Sequence, residues 1–197
     1  YMTAGMGDGG ACHPRDNIAL RYMSDNLGLG YDLFDAVMNA REIQAKNLAD
    51  KLVSYGNPVI IVGLAYKPNV KYVDGSYSML VGHYVKEAGQ KLFYHDPLCG
   101  ENGPETGGPY TYLIAHDPDT AFLLSKRPTE GEDITIKFLK GSTIVDPWRK
   151  IKDVDGCEVV HYGNTRPKAK KQDAPLMQDA RDHHLIRQNL KKITGGK

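Results

Sequence analysis

Val59-Ile60-Ile61-Val62-Gly63-Leu64 decides the fold class. A short, unbroken apolar run rich in β-branched residues reads as a strand covered on both faces, which is the mark of a parallel sheet. Downstream, Ser76 to Ala88 carries helical spacing and stops at Gly89, and Lys91-Leu92-Phe93-Tyr94-His95 reads as a second strand closed by Asp96-Pro97. Thr111–Ala115, Ser142–Val145 and Glu158–His161 read as further short strands, whereas residues 99–109 read as a Gly/Pro/Glu-rich loop. Strand, helix and strand in alternation imply an α/β domain with a parallel sheet. The pattern between residues 116 and 140 is ambiguous.

Upstream of that run the periodicity is helical. Leu33, Phe34, Val37, Ala40, Gln44, Leu48 and Leu52 fall near one helix face, so a long helix is expected from about Asp32 to Tyr55, ended by Gly56 and Pro58. Such a rod is longer than a small domain needs, which suggests a subunit interface. A shorter helix is expected after residues 1–15, capped by Asp16 or Asn17, with Ile18, Leu20, Met23 and Leu27 on its apolar side and Gly28 at its end. Pro14 should delay its start.

The composition is that of a globular protein, with 41% apolar and 25% charged residues and no apolar run of membrane-spanning length. Three cysteines, Cys12, Cys99 and Cys157, are too few and too scattered for a disulfide framework and point to a reducing compartment such as the cytoplasm. Their spacing does not fit a structural zinc site. The segment from Arg166 to Lys197 carries nine Lys or Arg against three Asp. It lacks interleaved aromatics and any groove-reading motif, so it reads as a solvated basic tail rather than a nucleic-acid arm. Neither a nucleic-acid nor a membrane partner is expected. A chain beginning on Tyr1 reads as a cut or processed one.

Two stretches carry candidate chemistry. The first, Gly5-Met6-Gly7-Asp8-Gly9-Gly10-Ala11-Cys12-His13-Pro14-Arg15-Asp16, contains a literal Gly-x-Gly-x-x-Gly. That motif binds a pyrophosphate only between a strand and a helix start, and four residues are too few for the strand, so a dinucleotide site is not expected here. Cys12 is the more interesting group. Loop amides, a helix start and the cationic neighbours His13 and Arg15 could favour a thiolate. From the residues alone a small buried thiol is at least as good a reading, and Asp16 is as readily a helix cap as a base. A cysteine-dependent hydrolase would need a His–Asp partner pattern, which the sequence does not display. The second stretch is Val62-Gly63-Leu64-Ala65-Tyr66-Lys67-Pro68-Asn69-Val70.

Together these stretches resemble the two signatures of the UDP-glucose/GDP-mannose dehydrogenase family, the nucleotide-sugar 6-dehydrogenases. The first is similar to the active-site loop Gly-x-Gly-x-Gly-Gly-x-Cys-x-Pro-x-Asp, and the second to the opening of the nucleotide-sugar-binding domain. Asn39-Ala40-Arg41-Glu42-Ile43 resembles part of the central dimerisation helix, and Asp96-Pro97 and Asp146-Pro147-Trp148-Arg149 match strand-end motifs. The resemblance spans roughly residues 2–163 and leans toward the branch acting on UDP-N-acetylhexosamines. It implies a long central helix followed by a Rossmann-like parallel-sheet domain. Residues 1–57 would hold the cysteine loop and central helices, 58–165 the UDP- or GDP-sugar-binding domain, and 166–197 the tail.

By the same resemblance, a sugar primary alcohol is oxidised to the uronic acid with two NAD. Cys12 captures the aldehyde as a thiohemiacetal that becomes a thioester, and Asp16 helps activate water. Gly7, Gly9, Gly10, Arg41, Tyr66, Lys67 and Arg149 would contact substrate, Arg41 that of a partner subunit. Lys67, Arg41 and Arg149 could equally be surface charges. A homodimer through residues 32–55 is implied. NAD would be bound mainly by an N-terminal half not represented in this sequence, in cis or in trans, so no cofactor-binding residue is assigned and the chain alone should not oxidise substrate. The family pattern Lys-Pro-x-x-x-Asp-x-Arg-x-Ser-Pro is altered: Asp74 stands where Arg is expected, reversing a charge associated with the cofactor, and Tyr77 replaces Pro. The competing expectation is a dimerising module that holds a nucleotide sugar without catalysis.

Overall fold

Two packed clusters divide the apolar residues of β1, Val59–Val62, by strict alternation. Val59 and Ile61 face one cluster with Leu113 and Val145, and Ile60 and Val62 face the other with Tyr112, Ile114 and Ile144. Alternate side chains of a strand point to opposite faces, so a strand apolar at every position must be covered twice. The computed structural model describes residues 4–7, 9–10, 12–120 and 136–163. All of these fall in one compact unit, Tyr1–Gly163. The basic tail lies outside the described residues.

Two helices precede the sheet. α1, Cys12–Asn26, starts earlier than its sequence suggests. Pro14 sits in the first turn, where its missing N–H would have had no partner, so it permits the helix rather than delaying it. Cys12 therefore opens the helix, and neither Asp16 nor Asn17 caps it; the Asn17 amide donates to the His13 carbonyl (2.8 Å). The expected apolar side is exposed: Ile18, Leu20, Met23 and Leu27 all remain accessible, and Ser24 is the buried residue. Gly28, at φ +63°, ends the helix as expected.

α2, Leu33–Val53, begins at Asp32, whose carboxylate accepts from the amides of Phe34 and Asp35 (both 3.0 Å). At ~1.5 Å per residue it extends about 30 Å. Its buried residues are Ala45, Leu48, Ala49 and Leu52, so only the second half of the expected face meets the core, and Leu33 and Val37 are exposed.

The sheet contains β1, β2 (Leu92–Asp96), β3 (Glu101–Asn102), β4 (Thr111–Ile114), β5 (Thr143–Asp146) and β6 (Glu158–His161). Their order is β3-β2-β1-β4-β5-β6. Every pairing is parallel except β2 with β3. β3 lies in the expected 99–109 loop: Gly100, at φ +83°, reverses the chain and lets two residues pair back onto β2. α3, Tyr77–Glu87, connects β1 to β2 and packs Tyr77, Val81 and Val85 beside α2 on one face. β1 thus has β2 on one side and β4 on the other. In an open α/β sheet the crevice for a ligand lies at such a reversal, outside the carboxyl ends of the strands.

Candidate functional site

A cavity of about 300 Å³ occupies that crevice. Ala65, Tyr66, Lys67 and Pro68 follow β1, Ala115, His116 and Asp117 follow β4, and Trp148 follows β5; Met6 and Gly7 come from the cysteine loop. Aromatic walls with a few polar groups suit a small ligand with a flat, partly polar part. Lys67 is exposed at the rim, its Nζ 5.2 Å from the Tyr66 ring centre. Asp117, which lines the cavity, is paired with Lys150 (2.6 Å), which also reaches Asp119 (2.5 Å). The two carboxylates raise the Lys150 pKa through their hydrogen bonds.

The glycines of the cysteine loop are needed for contact with this domain. A Cβ on Gly5 would meet the Trp148 ring at 2.7 Å, one on Gly9 the Tyr66 carbonyl at 2.6 Å, and one on Gly7 would collide with the Tyr77 ring. Gly10, at φ +105°, donates its N–H to the Gly75 carbonyl (3.0 Å). The described loop residues form no strand, and backbone approach is spent on protein groups, leaving no seat for a pyrophosphate. The described residues of this loop therefore do not form a dinucleotide site.

Cys12 is exposed, whereas Cys99 and Cys157 are partly buried. The Arg15 guanidinium reaches the Cys12 sulfur at 3.7 Å. Burial and the neighbouring Asp96 push the Cys99 thiol up to about 11, and the Cys157 thiol donates to the Leu139 carbonyl (3.3 Å). Asp16 faces solvent beside Arg15 (3.7 Å). Tyr72 lies within electrostatic reach of Cys12 and Arg15, and the neighbouring Asp74 carboxylate holds its phenol above its ordinary pKa. Asp74, the charge reversal in the second signature, thus has a partner on its own loop.

The remaining candidates are dispersed. Arg41 lies over the Tyr77 ring at 5.5 Å, within its own chain, with Glu42 3.8 Å away. Arg149 is exposed, takes φ +59°, and does not line the cavity. Gly7, Tyr66 and Lys67 are brought together at the crevice, while the Cys12 side chain is not among its lining groups. Trp148, His116 and Asp117 were not singled out as site residues from the sequence. A polar residue just beyond the carboxyl end of a buried parallel strand, as His116 is two residues after β4, marks the crevice though not the contact it makes there.

No family model matches the chain. UDP-glucose 6-dehydrogenase TuaD of Bacillus subtilis is 25% identical over 175 residues, covering 82% of this chain and 38% of TuaD. UDP-glucose 6-dehydrogenase AglM of Haloferax volcanii is 28% identical over 106 residues, covering 52% of this chain and 25% of that protein. This sequence resembles the nucleotide-sugar 6-dehydrogenases.

Solved structures share the fold. A UDP-glucose dehydrogenase from Pyrobaculum islandicum aligns with TM-score 0.56 and 24% identity over 78% of this chain and 38% of its own. A GDP-mannose dehydrogenase from Pseudomonas aeruginosa aligns with TM-score 0.56 and 15% identity over 81% and 41%. The chain thus spans about two fifths of these dehydrogenases. The sheet of six mostly parallel strands with its helices is their α/β, Rossmann-like architecture.

Proposed function

We propose that this chain is the substrate-binding and thiol-bearing part of an NAD-dependent nucleotide-sugar 6-dehydrogenase. The observation that carries the reading is the docking of the Gly5–Gly10 loop onto Tyr66, Tyr77 and Trp148 at the sheet reversal, which joins both sequence signatures at one crevice. The crevice would take the nucleotide diphosphate, with Lys67 as its cation and Tyr66 and Trp148 as apolar walls. Residues 1–57 would carry the nucleophile and the central helices, and 58–165 the nucleotide-sugar domain.

Cys12 is the nucleophile in this reading. Its thiolate adds to the aldehyde carbon, forming a C–S bond while the carbonyl oxygen takes a proton. NAD, when bound by the remainder of the enzyme, accepts hydride. Asp16 serves water activation. Arg149 and Arg41 are assigned to the sugar, Arg41 across a dimer. Exposed Leu33, Val37 and Ile43 on α2, with Ile18 and Tyr22 on α1 and Leu27 just after it, support a homodimer through this helical layer. A second reading, nucleotide-sugar binding without oxidation, is favoured by Asp74, which stands in place of the cation expected in the second signature.

Titration calorimetry of the full chain with UDP, GDP and uridine tests the site. Either diphosphate should bind, and Lys67→Ala should weaken it by about ten-fold or more, the scale of a charge-assisted contact. No binding of either diphosphate would sink the reading. Brief iodoacetamide treatment followed by peptide mass mapping tests the thiol: Cys12 should be alkylated well before Cys99 and Cys157. Equal labelling of all three would remove its distinction.

A further inference from the structure

The loop that delivers Tyr66 and Lys67 is held by side chains from both strands that flank β1. From the end of β2, Asp96 Oδ2 accepts the amides of Leu64 (2.9 Å) and Ala65 (3.2 Å). From beyond β4, His116 Nε2 lies 2.9 Å from the Ala65 carbonyl. A carbonyl only accepts, so the ring donates through Nε2, and its other nitrogen is an acceptor while the ring is neutral. The Ser76 hydroxyl adds a longer bond to the same carbonyl (3.4 Å), and the Tyr66 amide donates to the Tyr72 carbonyl (3.1 Å). Asp96 and His116 are 1% and 5% exposed, so the 64–65 peptide is gripped from within.

Stability alone is a poor account of this pair. Asp96 Oδ1 and His116 Nδ1 are both buried without a hydrogen-bond partner. Unmet buried polar atoms cost stability, and native proteins keep few of them. The histidine also restricts the chain beneath it: Gly63 takes φ +100°, and a Cβ there would strike the ring at 2.6 Å. Departures from local optimality concentrate where geometry serves a site. Here they lie directly behind the crevice.

We propose that His116 and Asp96 are positioning residues that fix the direction in which Tyr66 and Lys67 meet a nucleoside diphosphate. The His116 ring borders the crevice, but its donor is engaged by the Ala65 carbonyl and the unpartnered atoms of both residues are closed to solvent; they act through the 64–65 peptide. The inference rests on the proposed binding of a diphosphate at the crevice.

Calorimetry of the full chain with UDP separates the possibilities. His116→Phe keeps a flat ring in the same place but removes the donor. It should bind UDP about ten-fold more weakly, the scale of one lost hydrogen bond carried to the ligand. His116→Met, which adapts to the same space, should do likewise should the phenylalanine variant fail to fold. His116→Gln, which can restore an N–H to Ala65, should recover most of the affinity. In a Lys67→Ala background the loss should shrink, because coupled residues are not additive and only the Tyr66 part remains. Wild-type-like affinity in the donor-less variants, or an undiminished loss without Lys67, overturns the inference while leaving the diphosphate site intact. Failure of the unaltered chain to bind UDP or GDP overturns both.

Discussion

Asp96-Pro97 and Asp146-Pro147 are the same dipeptide at the ends of two parallel strands, and they do opposite work. Asp146 is fully buried and closes its own loop: its carboxylate accepts from the amides of Trp148 (2.9 Å), Lys150 (2.7 Å) and Ile151 (2.8 Å), with both oxygens engaged. Arg149, at φ +59°, makes the turn tight enough to aim those amides at one residue. After Asp96 the chain instead enters the short Pro97–Cys99 helical turn. Its carboxylate reaches across the sheet, over a sequence separation of 31 and 32 residues, and one oxygen is left unpaired. One aspartate is a local cap and the other a cross-strand clamp. The difference arises from where the following residues carry their amides, not from the dipeptide.

Truncation should expose that difference most strongly. Asp146→Ala leaves three amides without their partner and should cost about 4 kcal/mol, whereas Asp96→Ala leaves two and removes an orphan, for about 2 kcal/mol. Urea unfolding of the two variants measures this, and equal losses would break the comparison. The isosteric pair sharpens it. Asp96→Asn keeps one oxygen for Leu64 and Ala65 and places its amino group where the unpaired oxygen was, so the cost should stay below about 1 kcal/mol. Asp146→Asn must surrender an oxygen in use and should cost about 2 kcal/mol. A larger loss at Asp96 than at Asp146 would mean that the unpaired oxygen has a role the static structure does not display.

The same contrast explains what the sequence could tell. Apolar runs and glycine stops located the strands well, and β6 matches its expected bounds, because burial on two faces leaves an unmistakable pattern. The start of α1 was misplaced because Pro14 reads as a breaker unless the first-turn exception is known to apply. The helix faces were over-read: apolar spacing marks a surface that could be covered, but Ile18, Met23 and Leu33 remain exposed. At the crevice, Gly7, Tyr66 and Lys67 were reached through family resemblance, and the geometry brings them together. His116 was missed because its role depends on a carbonyl 51 residues away, and no local pattern encodes a cross-strand contact.

The smallest expected effect concerns acidity, and it again divides the two strand ends. Burial lowers the His116 pKa below its ordinary value, with the Ala65 contact and Asp96 opposing only in part. Below about pH 6.5 an unfolded chain protonates this ring while the folded chain resists. The unfolded state then binds more protons, so stability falls as pH drops through that ordinary value and is fully retained above it. Asp96, at the end of β2, is the charged group facing the ring, and its attraction limits the loss without reversing it. Urea midpoints measured between pH 7.5 and 5 should therefore decline less in His116→Phe than in the unaltered chain. Asp146→Ala, which leaves the clamp untouched, should keep the full decline. An identical slope in His116→Phe would show that this histidine titrates alike in both states, and that the clamp is open enough to solvate it.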